Sequence, residues 1–173
     1  MNAEQRAARL ALMGFDVDGV LTDGTLYFGP NGDELKAFSS LDGHGIKLLM
    51  NAGIEVVIIS GRQSKALELR AKNLGIGELY MAVEDKLGTL RELLAKRGLT
   101  PAQAGYMGDD VVDLEILTAC GFAATVADGH PEVRRHVDYV AQLGGGRGAV
   151  REVCDLILRA QGKLPSFVAP TRP

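Results

Sequence analysis

The sequence predicts an α/β fold, a doubly wound and mainly parallel sheet flanked by helices, and three observations predict it. Short apolar runs alternate with amphipathic helical patterns along the chain. Several of those runs end in polar residues with chemical potential, as expected where parallel strands deliver their carboxyl ends to one crevice. At 173 residues the chain suits a single domain that buries about 70% of its unfolded surface. Strands are expected near residues 10–15, 55–59, 79–81, 104–107, 122–125 and 139–140. Helices are expected near residues 43–51, 64–74, 86–97, 111–119, 131–135 and 149–160. One segment, about 25–38, breaks the alternation and reads as a β-hairpin inserted after the first strand, with Asn31-Gly32 supplying a positive-φ turn. A lone hairpin is marginally stable, so its Leu26, Phe28, Leu35 and Phe38 are expected to pack on another subunit. Residues 1–162 form the expected domain, and the Pro-rich 163–173 an extended or disordered tail.

The most informative stretch follows the first strand, where an apolar run stops at Asp16 and Asp18. Alternation in extended chain puts both side chains on one side. Carboxylates so placed repel unless a cation or a shared proton lies between them, and hard oxygen ligands suit Mg²⁺. Taken alone, the Asp and Gly residues here could also form a plain turn. The second strand, however, ends in Ser60-Gly61-Arg62, a hydroxyl, a glycine and a guanidinium that suit an oxyanion. Lys86 opens the helix after the third strand, a position where a lone Lys is ordinarily solvated. The fourth strand runs into Gly108-Asp109-Asp110-Val111-Val112-Asp113. Acidic residues favour a first helical turn, so Asp110 and Asp113 are read as supporting residues and Asp109 as the metal ligand.

The four motifs DVDGVLTDG, ISGR, the isolated Lys86 and GDD, in that order, resemble the haloacid dehalogenase-like phosphatases. The segments ELKAF, DGHGI, VADGHP and GGGRGAVREVCDLILRAQGK extend the likeness nearly end to end, toward the capless 3-deoxy-D-manno-octulosonate 8-phosphate phosphatase subfamily. The resemblance implies that Asp16 attacks phosphorus to give an aspartyl-phosphate and that Asp18 protonates the leaving alkoxide, then activates water. It further implies Mg²⁺ held by Asp16, the main-chain carbonyl of Asp18, and Asp109, with Ser60, Gly61 and Lys86 on the phosphate oxygens. The implied substrate is a small phosphorylated sugar acid of lipopolysaccharide precursor synthesis. The implied assembly is a homotetramer in which a neighbour's hairpin, in place of a cap domain, completes each active site.

Three residues are expected at the substrate rim. Arg62 and Arg147 exceed what one phosphate requires and leave a guanidinium for a sugar carboxylate. His44, in Asp42-Gly43-His44-Gly45, follows the hairpin toward the site. Gly144-Gly145-Gly146-Arg147-Gly148 lacks the Lys-Ser/Thr ending of a P-loop and reads as a flexible turn that frees Arg147 to reach an anionic substrate, or as a mere linker. Leu41 stands where related phosphatases often carry a basic residue, while His130 and His136 read as helix-boundary and surface positions.

A net charge of −3 without a basic run argues against nucleic-acid binding. Cys120 and Cys154 sit in apolar surroundings and read as small hydrophobes. No apolar stretch approaches the ~20 residues of a membrane span, and the N-terminus lacks the apolar core of a signal peptide, so a cytoplasmic location is expected. A phospho-acceptor signalling domain would share an acidic Mg²⁺ site, a Ser/Thr and a Lys. It would place its phosphorylated Asp on a later strand than its acidic pair, and here the DxD comes first. A sialic-acid-type nine-carbon sugar 9-phosphate phosphatase shares both the motifs and the hairpin, and remains the alternative.

Overall fold

The computed structural model describes residues 1–165. Five strands plus one short edge strand form a parallel sheet: β1 (Leu12–Phe15), β4 (Glu55–Ile59), β5 (Glu78–Tyr80), β6 (Ala104–Met107), β7 (Phe122–Thr125) and β8 (Tyr139–Val140), in the order β5-β4-β1-β6-β7-β8. The chain winds outward from β1 through β4 to β5, then crosses back to β6 and winds the other way. The reversal lies at β1, whose Phe15 is in register with Ile58 on one side and Met107 on the other. In open sheets the crevice outside the carboxyl ends at such a reversal is where ligands bind. Residues 16, 60 and 109 all follow those ends.

Strand alternation divides the interior in two. Met13, Phe15, Val56, Ile58, Met107 and Phe122 face one buried cluster, which α2 (Ser40–Asn51), α3 (Lys65–Leu74) and α7 (Ala149–Ala160) cover. Leu12, Val57, Ile59, Ala104, Tyr106 and Ala123 face the other, under α4 (Lys86–Arg97) and α5 (Leu114–Ala119). A central strand buried on both faces must be apolar throughout, and β1 is: all four residues are buried. Its Gly14 leaves room for the Tyr106 ring, since a Cβ there would lie 2.6 Å from Tyr106 Cδ2. The seated ring donates its hydroxyl to the Ile59 carbonyl at 3.0 Å.

Several expectations change. A helix not anticipated, α1 (Ala3–Ala7), is closed by an Asn2–Gln5 capping box, and its Arg6 reaches the Gly121 carbonyl and Asp138. Helix α2 starts at Ser40, three residues before the expected start at Gly43. Its glycines are packing residues: a Cβ on Gly45 would lie 3.1 Å from Cys154 Cβ and 2.9 Å from Arg151 Cδ. Asp42, buried nearby, accepts from the Gly148 and Arg151 amides and caps α7 from outside its own segment. A 3₁₀ turn, Val111–Asp113, precedes α5, which begins at Leu114. The short helix α6 (Pro131–Arg135) is as expected.

The hairpin segment contains β2 (Tyr27–Phe28) paired antiparallel with β3 (Glu34–Leu35), shorter than the strands expected there. Of the turn residues only Gly32 has positive φ, so the two-residue turn of mirror type that Asn-Gly favours is not formed; Gly29 to Asp33 make the loop. Leu26, Tyr27, Phe28 and Leu35 are exposed, whereas Phe38 packs against the core with Arg70 over its ring. No helix among the described residues is long and apolar enough to cross a membrane. Both cysteines are free thiols, and Cys154 lies in the core. The tail expectation falls largely on residues 166–173, which lie outside the described residues.

Candidate active site

A cavity of about 470 Å³ opens at the carboxyl ends of β1, β4 and β6, and Asp16, Asp18, Ser60, Gly61, Arg62, Lys86, Asp109 and Asp110 line it. Asp16 extends the β1 ladder by donating its amide to the Met107 carbonyl at 2.9 Å. The chain then folds into a tight turn in which the Val17 carbonyl accepts from the amides of Val20, Leu21 and Thr22. The buried Thr22 hydroxyl bridges that carbonyl to the amides of Gly19 and Gly24. Gly19 has φ +92°, and a Cβ there would lie 2.1 Å from Asp109 Oδ2. Only glycine therefore lets the turn and the carboxylate of the fourth strand meet.

Lys86 is the hub of the charges. It is buried, donating to Asp16 Oδ1 at 2.9 Å and to Asp113 Oδ1 at 2.7 Å. Burial works against its ammonium, but the charges of Asp16 and Asp113 outweigh burial and raise its pKa. Asp113 is fully buried, and its second oxygen accepts from the Asp109 and Asp110 amides at 3.2 and 3.5 Å. Asp16, Asp109 and Asp113 each bring a carboxylate oxygen within 4.8 Å of the others. Burial first, then the Asp113 charge, raises the Asp16 pKa from 3.8 to about 6. Burial first, then the charges of Asp16 and Asp113, raises that of Asp109 to about 7.

A divalent cation suits this cluster, because three carboxylates stand against one ammonium and Asp109 Oδ1 is buried without a hydrogen-bond partner. Asp113 belongs to the trio by distance, but both its oxygens are engaged. Asp16 and Asp109 remain as the side chains best able to hold it. Ser60 is buried at the end of β4 and accepts from the Arg62 amide at 3.2 Å. Asp110 caps the 3₁₀ turn through the Val111 amide.

Two expected rim residues do not line this cavity. His44 is exposed on α2, in a separate depression with Lys47, Arg70 and Asn73. Arg147 pairs with Asp23 at 3.4 Å in another depression. Its loop is not a flexible turn, because Gly146 donates to the Val20 carbonyl and a Cβ on Gly145 would lie 1.9 Å from the Gly19 carbonyl oxygen. The glycines are there so that the loop can press against the turn below Asp16. A residue not singled out by sequence, Lys36, reaches Asp18 with a side chain only 1% exposed. Alternation in Glu34-Leu35-Lys36 puts the two charges opposite exposed Leu35, the one signal that could have found it.

The chain is 51% identical over 160 residues to 3-deoxy-D-manno-octulosonate 8-phosphate phosphatase KdsC of Yersinia pestis, covering 92% of this chain and 86% of that one. The chain belongs to the KdsC phosphatase family. The KdsC of Escherichia coli K12 is 48% identical over 159 residues, covering 92% of this chain and 85% of that one. The crystal structure of the Yersinia pestis protein superposes with a TM-score of 0.92 at 50% identity, over 94% of this chain and 88% of that one. The Moraxella catarrhalis phosphatase, solved with magnesium, phosphate and KDO, superposes at 0.93 and 41% identity, over 95% of both chains. No family model matches the chain. KdsC likeness of this extent accounts for the parallel six-stranded sheet.

Proposed function

We propose that this protein is a Mg²⁺-dependent phosphomonoesterase that hydrolyses 3-deoxy-D-manno-octulosonate 8-phosphate through an aspartyl-phosphate. The observation that carries the reading is the Asp16 carboxylate, held on Lys86 beside the unpartnered Asp109 oxygen with Ser60 in the same cavity. In the first step an Asp16 oxygen forms a bond to phosphorus. The ester P–O bond breaks, and the leaving oxygen keeps the electron pair and takes a proton from Asp18. In the second, Asp18 takes a proton from water, the hydroxyl attacks phosphorus, and the bond to Asp16 breaks to release inorganic phosphate. Mg²⁺ on Asp16, Asp109 and the Asp18 carbonyl supplies the positive charge that lets an anionic nucleophile approach an anionic phosphate. Ser60, the Gly61 amide and Lys86 hold the non-bridging oxygens, and Arg62 at the mouth meets the sugar carboxylate.

The choice of sugar rests on family membership and on the KDO in the Moraxella catarrhalis complex. Exposed Leu26, Tyr27, Phe28 and Leu35 support the further reading that four hairpins assemble into a homotetramer, where His44 and Arg147 would face a neighbour. The place proposed for it is the cytoplasm, supplying lipopolysaccharide precursor synthesis. Phosphate release from eight- and nine-carbon keto-acid phosphates, with Asp16→Asn beside the wild type, tests the reaction. Activity lost in Asp16→Asn, and highest wild-type efficiency on the eight-carbon ester, is the expected result. Retained turnover in the variant refutes the nucleophile, equal or better efficiency on the nine-carbon ester refutes the sugar, and an active monomer by light scattering refutes the shared site.

A further inference from the structure

Asp18 has two neighbours of opposite placement. Arg62, in the cavity wall, lies with its Nε 3.7 Å from Asp18 Oδ2. Lys36 comes from the hairpin side and bonds Asp18 Oδ1, yet it is not among the cavity-lining residues, and its side chain is 1% exposed. Glu34, two residues earlier, stands 3.3 Å from Lys36 Nζ and 3.3 Å from Arg62 Nη2, so one carboxylate anchors both cations. A buried ammonium with two carboxylate partners has little freedom, and a short acidic side chain bonded through one oxygen has its remaining rotamers restricted.

We propose that Lys36 is a positioning residue: it clamps Asp18 through Oδ1, so that Oδ2, on the cavity side, is the oxygen that gives a proton to the leaving group and later takes one from water. The hairpin is thereby coupled to proton transfer without touching the substrate. This inference rests on the phosphatase reading above, and its test separates the two.

The experiment compares wild type with Lys36→Met on the sugar phosphate and on p-nitrophenyl phosphate, by rapid mixing and at steady state. Nitrophenolate leaves without a proton, so its formation of aspartyl-phosphate does not need an aimed Asp18. Hydrolysis of the intermediate does. With p-nitrophenyl phosphate, the variant is expected to release a nitrophenolate burst within about threefold of the wild-type rate, while steady turnover falls at least about tenfold, a part of the roughly hundredfold or more that general acid–base catalysis contributes. With the sugar phosphate, whose departure also needs the proton, both the first turnover and the steady rate fall at least about tenfold. Equal losses in burst and steady turnover with p-nitrophenyl phosphate, as a packing defect would give, overturn the clamp, and so does unchanged kinetics. Should the Met variant not fold by circular dichroism, Lys36→Ala, which removes the donor and leaves its space to water, is measured in its place with the same criteria. A wild type inactive on the sugar phosphate refutes the phosphatase reading itself, whereas an active wild type with no such split refutes only the clamp.

Discussion

Asp113 is the point where the charge network can be cut with least change of shape, and Asp113→Asn has a computable cost. The carboxylate is fully buried, bonds Lys86 at 2.7 Å with one oxygen, and accepts from the Asp109 and Asp110 amides with the other. An amide can satisfy the Asp109 amide or Lys86, but its NH₂ then faces the other donor. Removing one partner of a buried pair typically costs about 3–5 kcal/mol. Lys86 keeps Asp16 at 2.9 Å, so about 2–3 kcal/mol is expected here. For a chain of this size that lowers the melting temperature by roughly 5–10 °C. The loss has a pH signature. At pH 8 both Asp16 and Asp109, with pKa values of about 6 and about 7, are ionised, and removing the Asp113 charge relieves their repulsion. At pH 6 Asp109 is mostly protonated, the relief shrinks, and the loss is larger. Calorimetry of metal-free wild type and variant at both pH values measures this. A melting temperature within about 2 °C of wild type, or a larger loss at pH 8 than at pH 6, refutes the network as described.

The same raised carboxylates make metal binding pH-dependent: folded values of about 6 and about 7 exceed the unfolded 3.8, so metal-free stability rises as pH falls from 7 toward 4 while Mg²⁺ must displace protons. Mg²⁺ affinity by titration calorimetry should fall on the order of a hundredfold from pH 8 to pH 5.5, and a flat profile would contradict the site. Gly145→Ala should lower the melting temperature by roughly 3–10 °C, because its Cβ meets the Gly19 carbonyl oxygen at 1.9 Å. Gly77→Ala, with nothing within 4 Å of its Cβ, is the control, and equal stability of the two variants would show the loop to be pliable.

What sequence disclosed and what it hid differ in physical kind. The ends of β1, β4 and β6 were readable because a strand buried on both faces must be apolar, so the first polar residue marks where the sheet meets solvent. Asp16, Ser60 and Asp109 are such residues, and one rule brings them together without any knowledge of their contacts. Lys86 was placed by the start of its helix. The glycine-rich segments were misread because their reason lies more than a hundred residues away in sequence. Gly145 is small for Gly19, and Gly45 for Arg151 and Cys154.

Both misreadings turn out to concern one structure, the support beneath the turn that follows Asp16. Asp42 caps α7 through the Gly148 and Arg151 amides, Gly45 lets α2 lie against that helix, and the loop before α7 presses Gly145 and Gly146 onto the turn from Gly19 to Thr22. That turn sets Gly19 against Asp109. A segment read as substrate-facing thus acts on the site from behind, by fixing the distance between the two acidic motifs, the first and the fourth of the four. A cluster of three carboxylates and one ammonium tolerates little displacement, since charge repulsion grows as burial deepens. The rigid packing of glycines around it is therefore as much part of the metal site as the ligands are.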